Sequence, residues 1–503
     1  MSTLDQSGRR DLPVALAVVG TIGFVASIPF GARVTVSAAL VASALFALAI
    51  AEVKAPVITW PTAIGGLVAI VWFIPIKGYA LPIDLPFNLE YYRLAILVLL
   101  LAATVALLTK RMTLNAGGRI LPIAILAGGA LVSQIVNLDA IDAASTEPDT
   151  AIKALSYFLS YLIVFVLVCT VLDSLAGIDT VVRTLVGGGT IVAVAAIYEA
   201  RVGYNVFDHL DQWLPGLERQ PREILEQRSG RLRVYASAQH PIGLGVALAL
   251  VVPMAAYAAT RARSVVRARL WYAAAIVLAV GATATISRTI VAMTITMIVV
   301  ALLLRRSQVL RLWPALLILP VVIHFAAPGS LGGLYKSLFP QEGLVSDLSG
   351  RAGEGGSGRL ADVGPGITLW KRQPLVGNGL GNEFPSSPIA DRQPGQLPVR
   401  IIFDNQYLDT LVKLGAIGIL GVVLLVWGGA ISLFRHARRL RGPTSDLLAA
   451  CSIGAFGFAA ALFFYDAFAF VQGTLVFVMI IALGHRASTL APPAEPTTGG
   501  EIA

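Results

Sequence analysis

Three groups of residues in this sequence have types and spacings that fit chemistry. The first is arginine: Arg231 and Arg233 in "GRLRVYASAQH", and Arg288 in "TATISRTIVAM". Planar guanidinium groups make bidentate hydrogen bonds to phosphate oxygens, so arginines that meet at one place form a diphosphate site. The second is Asp404-Asn405 in "IIFDNQYLDTL". A carboxylate kept ionised beside cations can take a proton from a hydroxyl as a general base. The third is Gly377-x-Gly379-x-Gly381 in "PLVGNGLGNEF", the spacing of a loop whose backbone N–H groups cradle phosphate.

Each group also has a structural reading. Arg219, Arg222 and Arg228 alternate with Glu in "LERQPREILEQRSGR" and read as a solvated charged helix. Arg231 and Arg233 follow Gly230 with no acid close in sequence, which leaves anion binding open. Arg288 lies in an apolar stretch, where an arginine at a bilayer centre costs roughly 2.5–3.5 kcal/mol. It therefore caps a hairpin, faces a polar cavity or forms a structural ion pair. Asp404 and Asn405 are also good helix N-caps. His240 stands alone at the head of an apolar run and fits a hydrogen-bonded structural group better than a ligand. The glycines are flanked by Pro374 and Pro385, without the strand and helix of a dinucleotide unit, and read as tight turns. The loops show neither an Asp-x-Asp pair nor a His cluster, so no metal and no cofactor is expected.

These residues must be positioned by helices in a membrane. Of 503 residues, 56% are hydrophobic and 13% charged, with mean hydropathy +0.77. A soluble domain is about one quarter charged. The reading is an all-α polytopic membrane protein of 12–14 spans with one large extracytoplasmic loop. Spans are expected near 12–30, 34–51, 57–75, 93–109, 119–136, 155–172, 184–200, 240–259, 271–286, 288–304, 312–326, 406–434, 447–465 and 467–484. Residues 271–304 and 447–484 are each either a hairpin or one long kinked helix. Cys169 and Cys451 fall in apolar runs and give no disulfide framework.

The net charge of +9 follows the positive-inside rule better than a nucleic-acid partner. With residues 1–11 inside, "EVKAP", "KRMTLNAGGR", "RARSVVRAR", "RRSQVLR" and "RHARRLRG" all face the cytoplasm. Segment 12–326 then carries outer loops 76–92, 137–154 and 201–239. The largest outer loop is 327–405, 406–486 returns to the membrane, and 487–503 reads as a disordered tail. The inner loops are too short for a nucleotide-sugar site. An enzyme of this layout works on the extracytoplasmic side of the cytoplasmic membrane, where a lipid-linked donor fits.

The ordered set "GRLRVYASAQHPIGLG", "SRT", "GRLADVGPGITLWKRQPLVGNGLGNEF" and "DNQYLDTLVKLGAIGILG" resembles the O-antigen ligases and the related O-antigen polymerases. The resemblance covers residues 231–425, about two-fifths of the chain. It implies a GT-C-like fold and a metal- and nucleotide-independent glycosyltransferase, inverting at the anomeric carbon. The donor would be a glycan on a polyprenyl diphosphate, and the acceptor a glycan or glycolipid. By resemblance Arg233 and Arg288 hold the diphosphate, with Arg231 or Arg372 assisting, and His240, Trp370, Asn405 and Tyr407 lie among the substrate-binding residues. The family's last-loop motif is His-Asn, and here it is Asp404-Asn405, so Asp404 stands where the base is expected. The resemblance also makes the glycines part of the site's wall, after a helix containing Trp370. A flippase of lipid-linked glycans is the rival reading, but no internal repeat of the transporter kind is visible.

Overall fold

The computed structural model describes residues 58–81, 89–144, 150–214, 216–220, 227–228, 231–339, 360–382, 384 and 403–491. The expected spans 12–30 and 34–51 and most of the tail lie outside these residues. Each of the other expected spans falls on a helix. In chain order the helices are α1 (Trp60–Phe73), α2 (Tyr91–Leu108), α3 (Ile120–Val136), the short α4 (Leu138–Ala144), α5 (Thr150–Val171) and α6 (Leu175–Val202). They continue with α7 (Pro241–Thr260), α8 (Val265–Ala284), α9 (Arg288–Arg311), α10 (Trp313–Ala326), α11 (Ser330–Leu338) and α12 (Val363–Trp370). The last three are α13 (Gln406–Arg439), α14 (Gly442–Ala461) and α15 (Val471–Leu490). Among the described residues nine helices are long and apolar enough to cross a membrane, and the bent pair α10–α11 makes a tenth. The protein is an all-α, multi-pass membrane protein.

The sequence explains which helices lie inside the bundle. Helix α7 is apolar on every face, rich in Ala, Val, Leu and Gly, and almost wholly buried. A helix without a polar stripe has no face for water, and its small residues let neighbours approach closely. It packs against α6, α8, α14 and α15. Helices α8 and α9 instead turn Leu270, Ile276, Ile295 and Leu303 outward, as lipid-facing surface does. Small residues set close approaches elsewhere: a Cβ on Gly188 of α6 would lie 2.7 Å from Trp72 of α1.

Both ambiguous stretches resolve into two helices. At 271–304 the chain turns through Thr285–Ser287, with Ile286 left-handed at φ 50°. Residues 447–484 form a packed pair, with Phe458 and Phe477 stacked 3.8 Å apart. The charged segment read as a helix is extended where it is described. Strand β1 (Tyr79–Ala80) pairs antiparallel with β2 (Glu218–Arg219), and β3 (Gln227–Arg228) with β4 (Arg231–Leu232). In these strands the backbone is hydrogen-bonded across to a neighbour and not along a helix.

The ends of the helices divide into two faces. One carries the short basic links, the other the long loops, strands and short helices. At the loop face, Arg201 near the end of α6 donates from Nε to Ala326 O at 3.1 Å and also to Phe325 O. This ties α6 to the point where α10 and α11 bend by 112°.

Candidate active site

Arg233 is positioned by the end of α6. Glu199 accepts the backbone N–H groups of Tyr235 (3.3 Å) and Ala236 (2.8 Å). Asn205 Nδ2 donates to Ala236 O at 2.9 Å, and the Tyr235 hydroxyl donates to Asp208 at 2.5 Å. Segment 233–236 therefore hangs on fixed acceptors. Arg233 is buried, 4% exposed, and its Nε donates to Thr285 O at 3.3 Å.

Thr285 opens the turn between α8 and α9, and Arg288 is the first residue of α9. Arg288 is 9% exposed, with Nε donating to Ser337 Oγ of α11 at 3.0 Å. The structure thus brings Arg233 and Arg288 to one turn from separate parts of the chain. The hydroxyls of Ser287 and Thr289, on either side of Arg288, are buried without a hydrogen-bond partner among the described residues. Buried polar groups in proteins are nearly always paired, and a helix N-terminus presents free N–H groups and a positive dipole end. Two buried arginines, two unpartnered hydroxyls and a helix N-terminus thus lie together at one turn, the kinds of group that bind anions. The sequence marked Arg288; it gave no sign that its two neighbours would be buried.

A cavity of about 330 Å³ opens beside Arg233, lined among others by Glu199, Tyr204, Asp208, Tyr235 and Ser330. Ile286 forms part of its wall and packs under Gly333 of α11.

The start of α13 carries the Asp404-Asn405 pair. Asn405 is its N-cap, Oδ1 accepting from the N–H groups of Tyr407 (3.0 Å) and Leu408 (3.2 Å). Asp404, half-buried, lies just before the cap. It stands near Asp362 at the start of α12, whose carboxyl is raised by burial and then by the charge of Asp404. The N–H of Gln406 donates to Leu462 O at the end of α14 (2.8 Å), and α14 packs on α9. Asp404 and Arg288 therefore both sit at loop-face ends of one helix group.

Other expected site residues are engaged within the protein. The Tyr407 hydroxyl donates to Ala459 O and accepts from Trp427, both at 2.8 Å. The indole of Trp370 donates to Pro374 O at 3.0 Å, and Arg372 is exposed after α12. His240 caps α7, its Nδ1 accepting from Ile242 N–H at 3.1 Å, and its ring packs 4.8 Å from Phe470. Arg231 lies in β4, two residues before Arg233.

The glycines bind backbone. Helix α13 breaks at Gly415, with φ 65° and ψ −160°. The N–H groups of Asn378 and Gly379 donate to the freed carbonyls of Val412 and Lys413, both at 2.9 Å. Those of Ala416 and Ile417 donate to Pro374 O (2.9 Å) and Leu375 O (3.2 Å). Ser133, Gln134 and Asn137 of α3 and its end hold the assembly from the other side. A membrane helix can break only where other groups satisfy its backbone, and this loop does so.

A further polar cluster escaped the sequence reading because its members are far apart in the chain. Glu90 accepts from Lys77 N–H (2.6 Å) and Tyr157 (3.2 Å) and pairs with Arg93 at 3.4 Å. Burial raises the Glu90 carboxyl and lowers the Lys77 amine. Lys413 pairs with Asp409 at 2.5 Å. Asp466, between α14 and α15, is pushed up to about 7, first by burial and then by Asp409, against Lys413.

Residues 273–423 match the family model described as O-antigen ligase. The match covers about three-tenths of the chain and makes this segment similar to the O-antigen ligases. The O-antigen ligase segment holds Ser287, Arg288, Thr289, Asp362, Trp370, Arg372, the glycine loop and Asp404-Asn405. Arg231, Arg233 and His240 precede it, so the match is narrower than the resemblance across 231–425. The family supports a ligase- or polymerase-type transfer, acting with a lipid-linked glycan and a glycan acceptor. No curated protein matches the chain.

Proposed function

We propose that this protein is a metal-independent, inverting glycosyltransferase at the extracytoplasmic face of the cytoplasmic membrane. It moves a glycan from a polyprenyl diphosphate to a hydroxyl of a glycan or glycolipid acceptor. The observation that carries this reading is the convergence of Arg233 and Arg288 on the N-terminus of α9, where Ser287 and Thr289 are buried and have no hydrogen-bond partner among the described residues.

The acceptor oxygen attacks the anomeric carbon from the side opposite the diphosphate. The bond from that carbon to the diphosphate oxygen breaks, and its electron pair leaves with the polyprenyl diphosphate. Arg233 and Arg288 face the oxygens on which negative charge grows, and fixed donors there lower the barrier without reorganising. Asp404 takes the acceptor's proton. The product carries inverted configuration.

The test is surface glycan assembly in a strain that lacks the gene, complemented with Arg288→Ala or Asp404→Asn at matched membrane levels. Loss of product with accumulation of exported lipid-linked glycan in both variants is the expected result. An active Asp404→Asn variant removes Asp404 as base, and full activity in both variants overturns the mechanism.

A further inference from the structure

The cavity beside Arg233 has walls that phosphate recognition does not require. It lies beyond the end of α6, which closes at Gly203 in a left-handed C-cap, and under the 3-10 turn Val206–Gln212. Its polar lining among the described residues includes two carboxylates, Glu199 and Asp208, beside Arg233. A site for phosphate alone would gain from cations there and lose from acids. The mouth carries Tyr204 and His209, stacked in parallel with centroids 4.8 Å apart. Tyr204 is 44% exposed.

Carboxylate oxygens accept hydrogen bonds from hydroxyls and keep acceptor capacity beyond the bonds they already make. Glu199 accepts from the backbone N–H groups of Tyr235 and Ala236, and Asp208 from the Tyr235 hydroxyl, which fixes both carboxylates in place. A flat aromatic surface covers the C–H face of a pyranose ring. A volume of about 330 Å³ is at the small end of ligand pockets, the size for one or two sugar rings. Arg233 lines the cavity, so a sugar joined to a diphosphate held by Arg233 lies within its reach.

We propose that this cavity is a pyranose subsite, which receives the sugar attached directly to the diphosphate held by Arg233 and Arg288. The inference rests on the diphosphate reading above. Asp208 and Glu199 take sugar hydroxyls, and Tyr204 with His209 covers the ring face at the entrance. The protein thereby selects donors by their first sugar.

The test uses the full-length protein in lipid nanodiscs and two probes: farnesyl diphosphate, and farnesyl diphosphate carrying one neutral hexose. Wild type is expected to bind the glycosylated probe about tenfold more tightly, the loss expected for a well-placed polar or ring contact. Tyr204→Ala should erase that difference and leave binding of the bare diphosphate unchanged. Tyr204→Phe, which keeps the ring, should retain it. If wild type binds both probes equally, or if Tyr204→Ala keeps the preference, the subsite assignment is overturned. If Tyr204→Ala weakens the bare diphosphate as much as the glycosylated one, the cavity serves only to hold Arg233, and the subsite is again overturned. Bare diphosphate that does not bind, or binds equally to Arg288→Ala, overturns the diphosphate reading itself.

Discussion

Gly377 lies directly against the peptide of Lys413: a Cβ on it would come within 2.4 Å of the Lys413 carbonyl carbon and oxygen. Gly415 returns the contact, its added Cβ falling 2.3 Å from Leu375 O. Both glycines have positive φ, 72° and 65°, a conformation costly for any residue with a side chain. The loop and the broken helix fit each other only as glycine. Gly377→Ala or Gly415→Ala should therefore destabilise the folded protein by more than about 1 kcal/mol. Gly364→Ala, where the added carbon meets open space, should not. Thermal midpoints of the detergent-solubilised variants check this.

At the proposed anion site, the chemistry of each donor predicts a graded series. Arg288→Ala should lower turnover at least about a hundredfold, the usual loss when a fixed donor to developing charge is removed. Arg288→Lys should recover only part, because an ammonium lacks the planar fork. Ser287→Ala removes no hydrogen bond seen in the structure, so the thermal midpoint should hold while donor affinity falls. Binding and turnover measured side by side separate these effects.

Asp362 and Asp404 repel each other, which is one reason the Asp362 carboxyl is raised. If Asp404 is the base, activity requires its charged form. Asp362→Asn removes a neighbouring negative charge and makes that form easier to reach. The acid limb of the rate profile should then move to lower pH, whereas Asp404→Asn should abolish the limb together with most of the activity. A pH series on both variants decides this.

Asp466 predicts a pH dependence of stability. Its folded-state carboxyl is raised from the ordinary value of 3.8 to about 7. Between these values the folded protein binds the proton and the unfolded chain does not, so stability falls as pH rises from 3.8 to about 7. Lys77, Asp409 and Lys413 all act on this group, with burial the largest cause. Asp466→Asn keeps a side-chain oxygen for the Ala469 N–H and removes the charge. The variant should lose that slope and unfold at a higher temperature than wild type above pH 7.

The membrane class of this protein follows from its sequence. An apolar run long enough to span hydrocarbon must be helical, because no water is present to satisfy the backbone, and clustered arginines mark the short links. That physics is local, so it placed the helices from Trp60 to Leu490 and selected Arg288 as a charge that needed a reason to be there. The motif also pointed to Asp404 at the mouth of a span. Other features depend on groups far apart in the chain. Glu199, thirty-four residues before Arg233, fixes the segment that carries it. Leu375 and Val412 exchange hydrogen bonds with partners whose need arises only once α13 breaks. Lys77, Glu90, Arg93 and Asp466 become one cluster only when α1, α2 and the α14–α15 turn meet. Helical periodicity records which face of a segment is apolar and carries no record of which distant backbone group that face will meet. The chemistry of single residues was therefore set by the sequence, and their assembly into a site was decided by tertiary packing.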